Sequence, residues 1–555
     1  MNVNNISTSQ VKLGTEKKHG IFSWFTKKDQ SDDQISQKRL VLMWALMFVG
    51  YFMFCLQWYS ITNFIDGWGQ AFFNDGKPST LVSSVPNWMI TFGRSIGSIL
   101  AGFFIAKFGH KYAVVFCLTL MVISFPYIIV AQNQSWNSLS IGGGASVVLD
   151  HDKGTAVAGF SLFVIFRIFL AVGGTTLITY TNSVIAKMPV EKRSSFITLN
   201  SFGFNGGAFF GSIFFVSATV RDAIKEPRVW TPILSVFIVL IFLILIAYLI
   251  FGVEVLPKQL KSTKNFSEKN EITFRSVLAK KENYVLYYMF FVWLLAVVFI
   301  NGSGFRNFIE QSPANAQVLV NYSVSNNKLF KSLSSTSYGW VWPAYISVFV
   351  LGYVVSAFTI TKFNLTFFRR KEYAAIIITL GLAFAFIGLL TVYFAGYENI
   401  GAVVMFLILT FISGIFLWGA QPVLLFIPQQ QEGTSPKYVG IVAGLVWGFG
   451  YLGYTVGDAT LSSIATYIGD TKAFTNAVTN AYNSSSHKVI EYSSVSSGLI
   501  VMFALFWIIM GSGIFALFFL PDTGTMKDGK FVKFTKVWNP FKLSNYNFYS
   551  PSNRY

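Results

Sequence analysis

The sequence predicts an all-α membrane protein with about 12 transmembrane helices in two six-helix halves. Two observations lead to this prediction. First, 53% of the 555 residues are hydrophobic and only 12% are charged, a composition too apolar for a surface that faces water. Second, stretches of roughly 20 apolar residues, the length of helix that crosses a bilayer core, recur along the whole chain.

The predicted helices fall into two groups of six, separated by a charged segment at residues 254–283. This segment is too polar to cross lipid, so we interpret it as a linker between an N-terminal half at 41–253 and a C-terminal half at 284–520. Polar tails are predicted at 1–40 and 521–555. The predicted spans lie near 41–63, 87–108, 112–131, 156–187, 193–217, 230–253, 284–303, 339–361, 373–396, 400–427, 438–465 and 498–520.

The basic residues predict how the helices are oriented. An even number of spans puts both termini on one side, and the loops of that side hold most of the 42 Lys and Arg residues. Because Lys and Arg concentrate in cytoplasmic loops, we expect both termini in the cytoplasm of a multi-pass protein of the inner or plasma membrane. The opposite side then carries three long loops, at 132–155, 304–338 and 466–497, which are rich in Ser, Asn and Gly.

The same distribution of charge excludes several classes of function. A net charge of +18 would suggest a nucleic-acid partner in a soluble protein, but here the basic residues follow the membrane topology. The predicted spans contain no His and one carboxylate, so they cannot supply a metal cluster or an acid-base pair. We therefore expect no nucleic acid, no metal, no cofactor and no enzyme activity. The sequence also has no nucleotide-binding loop, which argues against ATP-driven transport.

A short basic loop follows the second predicted helix. It reads Gly102-Phe-Phe-Ile-Ala106-Lys107-Phe-Gly109-His110-Lys111 and resembles the loop between helices 2 and 3 of the major facilitator superfamily. Gly102 and Gly109 would allow close packing and a tight turn, while Lys107 and Lys111 would bind carbonyl groups at helix ends. The resemblance implies a cytoplasmic gate, although Ala106 stands where the family usually has an acidic residue.

Helices 5, 10 and 11 resemble those of the organophosphate:phosphate antiporters, the hexose-phosphate and glycerol-3-phosphate transporters of that superfamily. The matching segments are 191–207, 421–428 and 440–453, which are rich in glycine and include Gln421-Pro422 and Gly444-Leu-Val-Trp447-Gly448. The superfamily resemblance covers residues 40–520. It implies two related halves that move a solute by alternating access around a central site.

Three charged residues fall inside predicted helices, where a charge is costly and is a functional candidate by default. Arg167 is followed by Gly173-Gly174, a pattern that resembles helix 4 of the superfamily. Each residue also has a structural interpretation. Arg94 could extend to the outer interface, Asp458 could lie at a solvated helix end, and Arg167 could pair with a backbone carbonyl or a polar neighbour.

In the antiporter branch, arginines of helices 1 and 7 clamp the substrate phosphate. This chain has Trp58 and Ala296 at those positions, and Thr175-Thr176 replaces a double proline. Two alternatives follow. Either Arg94 and Arg167 hold the phosphate, or the substrate is not a phosphate ester.

We predict a secondary active transporter for a small organic solute, such as a sugar phosphate or another organic anion, with a coupling ion or a counter-solute. The alternatives are a transporter of an uncharged metabolite, sugar or drug, and a sensor that does not transport. The candidate solute contacts are Arg167, Arg94, Trp58, Tyr59, Asn205, Asn301, Gln421, Trp447 and Tyr451.

Overall fold

The computed structural model describes residues 35–63, 68–69, 72, 80–134, 153–188, 190–224, 227–255, 274–330, 332–358, 370–431, 436–467, 471–489, 497–527 and 530–533. The chain is mostly helical within these ranges. The helices are α1 (Gln37–Asn63), α2 (Thr80–Ile123), α3 (Pro126–Gln134), α4 (Lys153–Ala186), α5 (Val190–Ile213), α6 (Ala218–Ala223), α7 (Pro227–Phe251), α8 (Phe274–Leu278), α9 (Lys281–Leu294), α10 (Ser303–Glu310), α11 (Pro313–Ser325), α12 (Val341–Phe358), α13 (Arg370–Ala395), α14 (Ile400–Phe426), α15 (Pro436–Tyr467), α16 (Thr471–Asn483) and α17 (Ser497–Ala516). A two-stranded antiparallel hairpin follows, formed by β1 (Gly524–Lys527) and β2 (Lys530–Lys533).

Ten spans in the described part of the chain are long and apolar enough to cross a membrane. The sequence-based prediction of about twelve spans also includes α5 and α15. These helices have 24 and 32 residues, and they carry more glycine and polar side chains than the ten apolar spans. The predicted spans 87–108 and 112–131 correspond to the two segments of α2, which supply the separate spans Val82–Ile105 and Phe108–Val130. This helix bends at Gly109, whose φ of 76° lies in the left-handed region.

Two sets of contacts identify the side of the bundle on which the described part of the chain begins and ends. Arg39 Nε, at the start of α1, donates to the carbonyl of Phe251 at 3.0 Å. The Lys371 ammonium, at the start of α13, is 2.8 Å from the Asp522 carboxylate after α17. We call this the termini side, and the opposite side the far side.

The predicted domain boundaries remain predictions. Between α7 and α9 the described chain contains the short helix α8, which lies within the predicted linker at 254–283. Residues 1–34, 135–152, 256–273 and 534–555, which include most of both tails and of that linker, lie outside the described residues.

Glycines pack corresponding helices of the two halves. In the N-terminal half, a Cβ at Gly97 of α2 would lie 2.9 Å from the carbonyl oxygen of Val172 in α4. In the C-terminal half, a Cβ at Gly352 of α12 would lie 2.6 Å from the backbone nitrogen of Ile415 in α14. These pairs are the second and fourth predicted spans of each half, and glycine lets their backbones touch. The correspondence supports the two related halves implied by the sequence.

The far-side segments 304–338 and 466–497 are not simple loops. They contain α10, α11 and α16, and the amide of Gln317 in α11 binds the chain that follows α16. The expectation of loops was therefore wrong for these segments. Their Ser and Asn residues form helix caps instead: the Ser312 hydroxyl accepts from the backbone N–H of Asn315 at the start of α11.

The helix contact at Gly414 is open to a direct test. A Cβ at Gly414 would overlap the carbonyl oxygen of Phe349, whereas a Cβ at Gly511 would meet nothing within 4 Å. We expect Gly414→Ala to destabilise the protein by about 1–3 kcal/mol through overpacking, and Gly511→Ala to have little effect. Thermal unfolding of both variants in the same detergent tests this, and equal melting temperatures would contradict the close contact.

Candidate functional site

The most extensive described contact between the two halves joins α2 to α15. A Cβ at Gly448 would overlap Ile99, and the Ser95 hydroxyl donates to the Gly448 carbonyl at 2.8 Å. Nearer the far side, the hydroxyls of Thr91 and Thr455 are 2.7 Å apart. Glycine therefore brings the two backbones close enough for short side chains to bond across them. We call this contact the α2–α15 seam.

The seam continues to the far side through polar pairs. Asn87 donates to the Tyr454 hydroxyl at 2.7 Å, and Trp88 Nε1 donates to the Asp458 carboxylate at 2.5 Å. Along each of the two facing helices these residues lie about one helical turn apart, so their contacts form one continuous line. The far side of the site is closed along this line.

Arg94 lies within the seam, between aromatic rings of both halves. Its guanidinium carbon is 4.4 Å from the ring centre of Tyr451, 4.9 Å from Trp58 and 5.4 Å from Phe204. Its Nη2 donates to the Tyr51 hydroxyl at 3.2 Å, and the residue is 3% exposed. The alternative that Arg94 extends to the outer interface is therefore wrong, because ring faces hold its charge inside the bundle.

Six aromatic residues form a continuous layer across the interface between the halves. Neighbouring ring centres are 5.3 to 6.1 Å apart. The Arg94 guanidinium contacts both the first ring, Trp58, and the last ring, Tyr451. We call these residues, from α1, α5, α9, α14 and α15, the aromatic layer; in order of contact they are Trp58, Phe204, Trp418, Trp293, Trp447 and Tyr451.

A cavity of about 40 Å³ lies on the far side of the aromatic layer. This volume is room for a few water molecules in this conformation. Both halves contribute to its walls, and we call it the far-side cavity. Its polar and aromatic lining includes Trp58, Tyr59, Trp68, Asn87, Arg167, Asn301, Arg306, Trp342 and Asp458.

Arg167 is the basic residue of this cavity whose hydrogen bonds are incomplete. It is 1% exposed, and neither its Nε nor its Nη1 has a hydrogen-bond partner among the described residues. The rings of Phe163 and Tyr127 lie 5.6 and 5.9 Å from the guanidinium carbon. Arg306 differs, because its Nε is 2.7 Å from the carboxylate of Glu310. The structural alternative for Arg167, a backbone carbonyl partner, is therefore not found within the described ranges.

The other predicted contacts divide into two groups. Tyr59 and Asn301 line the far-side cavity, and each has one oxygen without a hydrogen-bond partner in the described structure. Asn205 of α5 is buried and Gln421 of α14 is half-buried, and the lining of the described cavity includes neither.

Sequence reasoning missed the polar residues of the seam and the basic residue of α10. Asn87, Thr91 and Thr455 belong to the seam, and Arg306 enters the cavity from a segment that was expected to be a loop. The available signal was the spacing of three or four residues between polar side chains along α2 and α15.

Comparison with known proteins decides the family. The family described as Mycoplasma MFS transporter matches residues 163–466, which is more than half of the chain. The chain belongs to this family of major facilitator transporters. The family described as sugar (and other) transporter also matches residues 21–255 of the N-terminal half.

Curated relatives agree with this assignment, and solved structures are similar in fold. A major facilitator superfamily transporter of Mycoplasma pneumoniae is 26% identical over 76% of this chain and 85% of the relative. Transporter MG061 of Mycoplasma genitalium is 25% identical over 78% of this chain and 85% of the relative. The fold is similar to that of the nucleoside transporter NupG, with a TM-score of 0.54 and 11% identity, over 86% of this chain and 99% of NupG. It is also similar to the inward open xylose transporter XylE of E. coli, with a TM-score of 0.52 and 15% identity, over 89% of this chain and 98% of XylE.

The predicted gating loop of this MFS transporter is held by a carboxylate from the first residue of the predicted linker. Glu254 accepts from the backbone N–H of His110 at 2.8 Å and from that of Lys111 at 3.2 Å. The His110 ring lies 3.1 Å from the carbonyl of Tyr180. Glu254 thus brings an acidic group to a loop that has Ala106 at the position usual for one.

The two glycines of the loop have different surroundings. Gly109 adopts a positive φ, and a Cβ there would lie 2.6 Å from the Glu254 carboxylate, as a tight turn requires. Gly102 is exposed, and a Cβ there would meet nothing within 4 Å, so the expectation of close packing at Gly102 was wrong for this conformation. The side chain of Lys107 lies outside the described residues.

No group of three His, Cys, Asp or Glu side chains that could hold a metal ion occurs in the part of the transporter that the structure describes.

The loop suggests a matched pair of substitutions. We expect Gly109→Ala to lower the rate of uptake severalfold, because the added methyl group meets Glu254 and the backbone conformation disfavours a side chain. Gly102→Ala is the control and should leave uptake close to wild type. Initial uptake rates at equal amounts of membrane-inserted protein test this. Equal rates for the two variants would argue against a role for the turn in gating.

Proposed function

We propose that this transporter moves a small organic anion by alternating access, with Arg167 as the anchor of a binding site in the far-side cavity. The observation that carries the proposal is the incomplete hydrogen bonding of a fully buried guanidinium at a cavity between the halves. The proposal also places the protein in the cell membrane with both termini in the cytoplasm, as the basic loops favour.

The chemistry of arginine favours an anionic solute. A guanidinium stays protonated at any physiological pH, and its removal from water costs several kcal/mol unless other groups compensate. Two aromatic rings near Arg167 offset part of the cost of burying its charge. Rings do not accept hydrogen bonds from its N–H groups in the way that an oxyanion does. A carboxylate or phosphate would accept two of these N–H groups at once, which lysine geometry cannot reproduce.

The α2–α15 seam supports the alternating-access part of the proposal. It closes the far side of the cavity, so a solute that enters from that side must break the seam. The hydroxyl pair Thr91–Thr455 and the bond between Trp88 and Asp458 would then open together, because the same two helices carry them. Such rocking of one half against the other around a central site is the expected motion of related halves.

The proposed solute class, a small organic anion, is broader than the sugar phosphates that the resemblance to the antiporters suggests. The likeness of α5 and α15 to phosphate-ester antiporters favours a sugar phosphate exchanged for another solute. The match to a family of sugar and other transporters favours a hydroxylated solute. An uncharged hydroxylated solute is the second candidate, and Asn87, Asn301 and the tryptophans of the cavity support it.

Substitution of Arg167 separates the two candidates. For an anionic solute, we expect Arg167→Lys to weaken binding about tenfold and Arg167→Gln to abolish it, since lysine keeps the charge but loses the planar fork. Counterflow in proteoliposomes against phosphate esters, carboxylates, sugars and nucleosides identifies the solute, and thermal shifts with that solute measure binding.

Arg275→Gln is the matched control, because Arg275 is exposed on α8 outside the predicted spans. It should transport and bind like the wild type. Wild-type affinity in a folded Arg167→Gln protein would contradict the anchor and favour the uncharged solute.

A further inference from the structure

The far-side cavity contains two buried opposite charges that do not pair with each other. Arg167 and Asp458 both line it, at 1% and 4% exposure. The ion pairs found in the described ranges involve other residues, and no bond joins these two. A direct ion pair would remove the need for an occupant, whereas two separated charges in one cavity leave two poles for an occupant to fill.

The surroundings of Asp458 define one pole. Trp88 of α2 donates to its Oδ2, and the hydroxyl of Tyr454, one turn earlier on α15, also bonds to the carboxylate. Both donors are neutral. The remaining charged groups around the cavity are Arg167 of α4 and Arg306 of α10, and Arg306 already pairs with Glu310. Asp458 is therefore a carboxylate that the described chain solvates with dipoles but does not neutralise.

Charge matching then selects among solutes. A simple anion would neutralise Arg167 but would be repelled by Asp458, and a simple cation would do the reverse. An uncharged solute would leave both charges without a counter-charge in a site with little water. A solute with one group of each sign matches both poles.

The aromatic walls favour a particular cation. Trp68 and Trp342 line the same cavity as Asp458, and tryptophan faces attract ammonium groups more strongly than other rings do. The guanidinium of Arg306 lies 5.9 Å from the Trp342 ring, an example of a cation against an indole of this wall. An alkylated ammonium group combines the positive charge that Asp458 requires with methyl groups that pack against indoles.

We propose that Arg167 and Asp458 are the two poles of one binding site, and that the solute is a small zwitterion with an ammonium group and a carboxylate or phosphate group. This inference rests on the proposed function, because it keeps Arg167 as the anchor of the anionic group. It adds Asp458 as the residue that determines specificity for the cationic group.

Pairs of ligands that have the same shape but differ in the positive charge test the cationic pole. Glycine betaine and 3,3-dimethylbutanoate differ in one atom, a charged nitrogen in place of carbon, and phosphocholine and 3,3-dimethylbutyl phosphate form the corresponding phosphate pair. We expect the purified transporter to bind at least one zwitterion about tenfold more tightly than its isostere. Calorimetry or thermal shift in detergent measures the ratio, and the two pairs distinguish a carboxylate from a phosphate.

Variants assign the preference to its residue. Asp458→Asn should remove most of the preference while affinity for the isostere stays the same or rises, and Arg167→Gln should weaken both ligands of a pair. Glu282→Gln is the control, because Glu282 is exposed at the start of α9. Melting temperatures without ligand show whether each variant is folded.

The two proposals fail in different ways. Equal binding of zwitterion and isostere with a clear loss in Arg167→Gln would overturn the zwitterion and leave the anion. If Asp458→Asn kept the full preference for the zwitterion over its isostere, the assignment of Asp458 to the cationic group would be overturned. The same would follow if Asp458→Asn bound both ligands normally but no longer accumulated solute under a proton gradient. Ligand binding that is indifferent to Arg167 would overturn the proposed function itself.

Discussion

The contact between α2 and α15 is the constraint on which the rest of the site depends. Gly448 brings the two helices together, and the polar side chains beyond it can bond across the interface only because the backbones are that close. The same contact encloses the far-side cavity and brings Tyr451 against Arg94. A larger residue at Gly448 would change the distance between the halves and thus the seam, the aromatic layer and the cavity together.

Arg94 and Arg167 show how surroundings give one residue type two roles. Both are buried arginines of the N-terminal half, and both were candidates for the solute. Arg94 is held by aromatic faces from both halves and donates to Tyr51, so its charge ties the interface together. The Nε and Nη1 groups of both guanidiniums lack a hydrogen-bond partner in the described structure, but Arg167 has fewer ring contacts and lines the far-side cavity. The first is suited to holding a closed state, and the second to binding a solute.

The sequence predicted the helices well because lipid imposes a length and a composition on each span. It also singled out Arg167 as a candidate for the solute site, since a charge inside a span is costly, and that role stays a prediction. It did not reveal that Trp58, Trp447 and Tyr451 form one layer, because that arrangement depends on the packing of helices distant in sequence. The far-side helices were missed for a related reason: composition rich in Ser and Asn is shared by loops and by capped short helices.

Gly102 and Gly109 mark a further limit of sequence reasoning. Both belong to one motif and both were expected to serve close contacts, yet only Gly109 has a neighbour that a side chain would strike. The neighbour is Glu254, which lies far along the chain as the first residue of the predicted linker. A motif fixes the local turn, but the contact that gives the turn its function comes from the tertiary fold.

The opening of the seam during transport is the central claim, and a reversible cross-link tests it most directly. Thr91 and Thr455 are suitable positions, because their hydroxyls are 2.7 Å apart across the seam. The experiment uses Thr91→Cys with Thr455→Cys in a chain whose buried Cys55 and Cys117 are replaced by Ala. Uptake is measured after oxidation and again after reduction, with each single cysteine variant as a control. We expect oxidation to stop uptake and reduction to restore it in the double variant alone. Undiminished uptake by fully cross-linked protein would show that the seam stays closed during transport and would contradict the account.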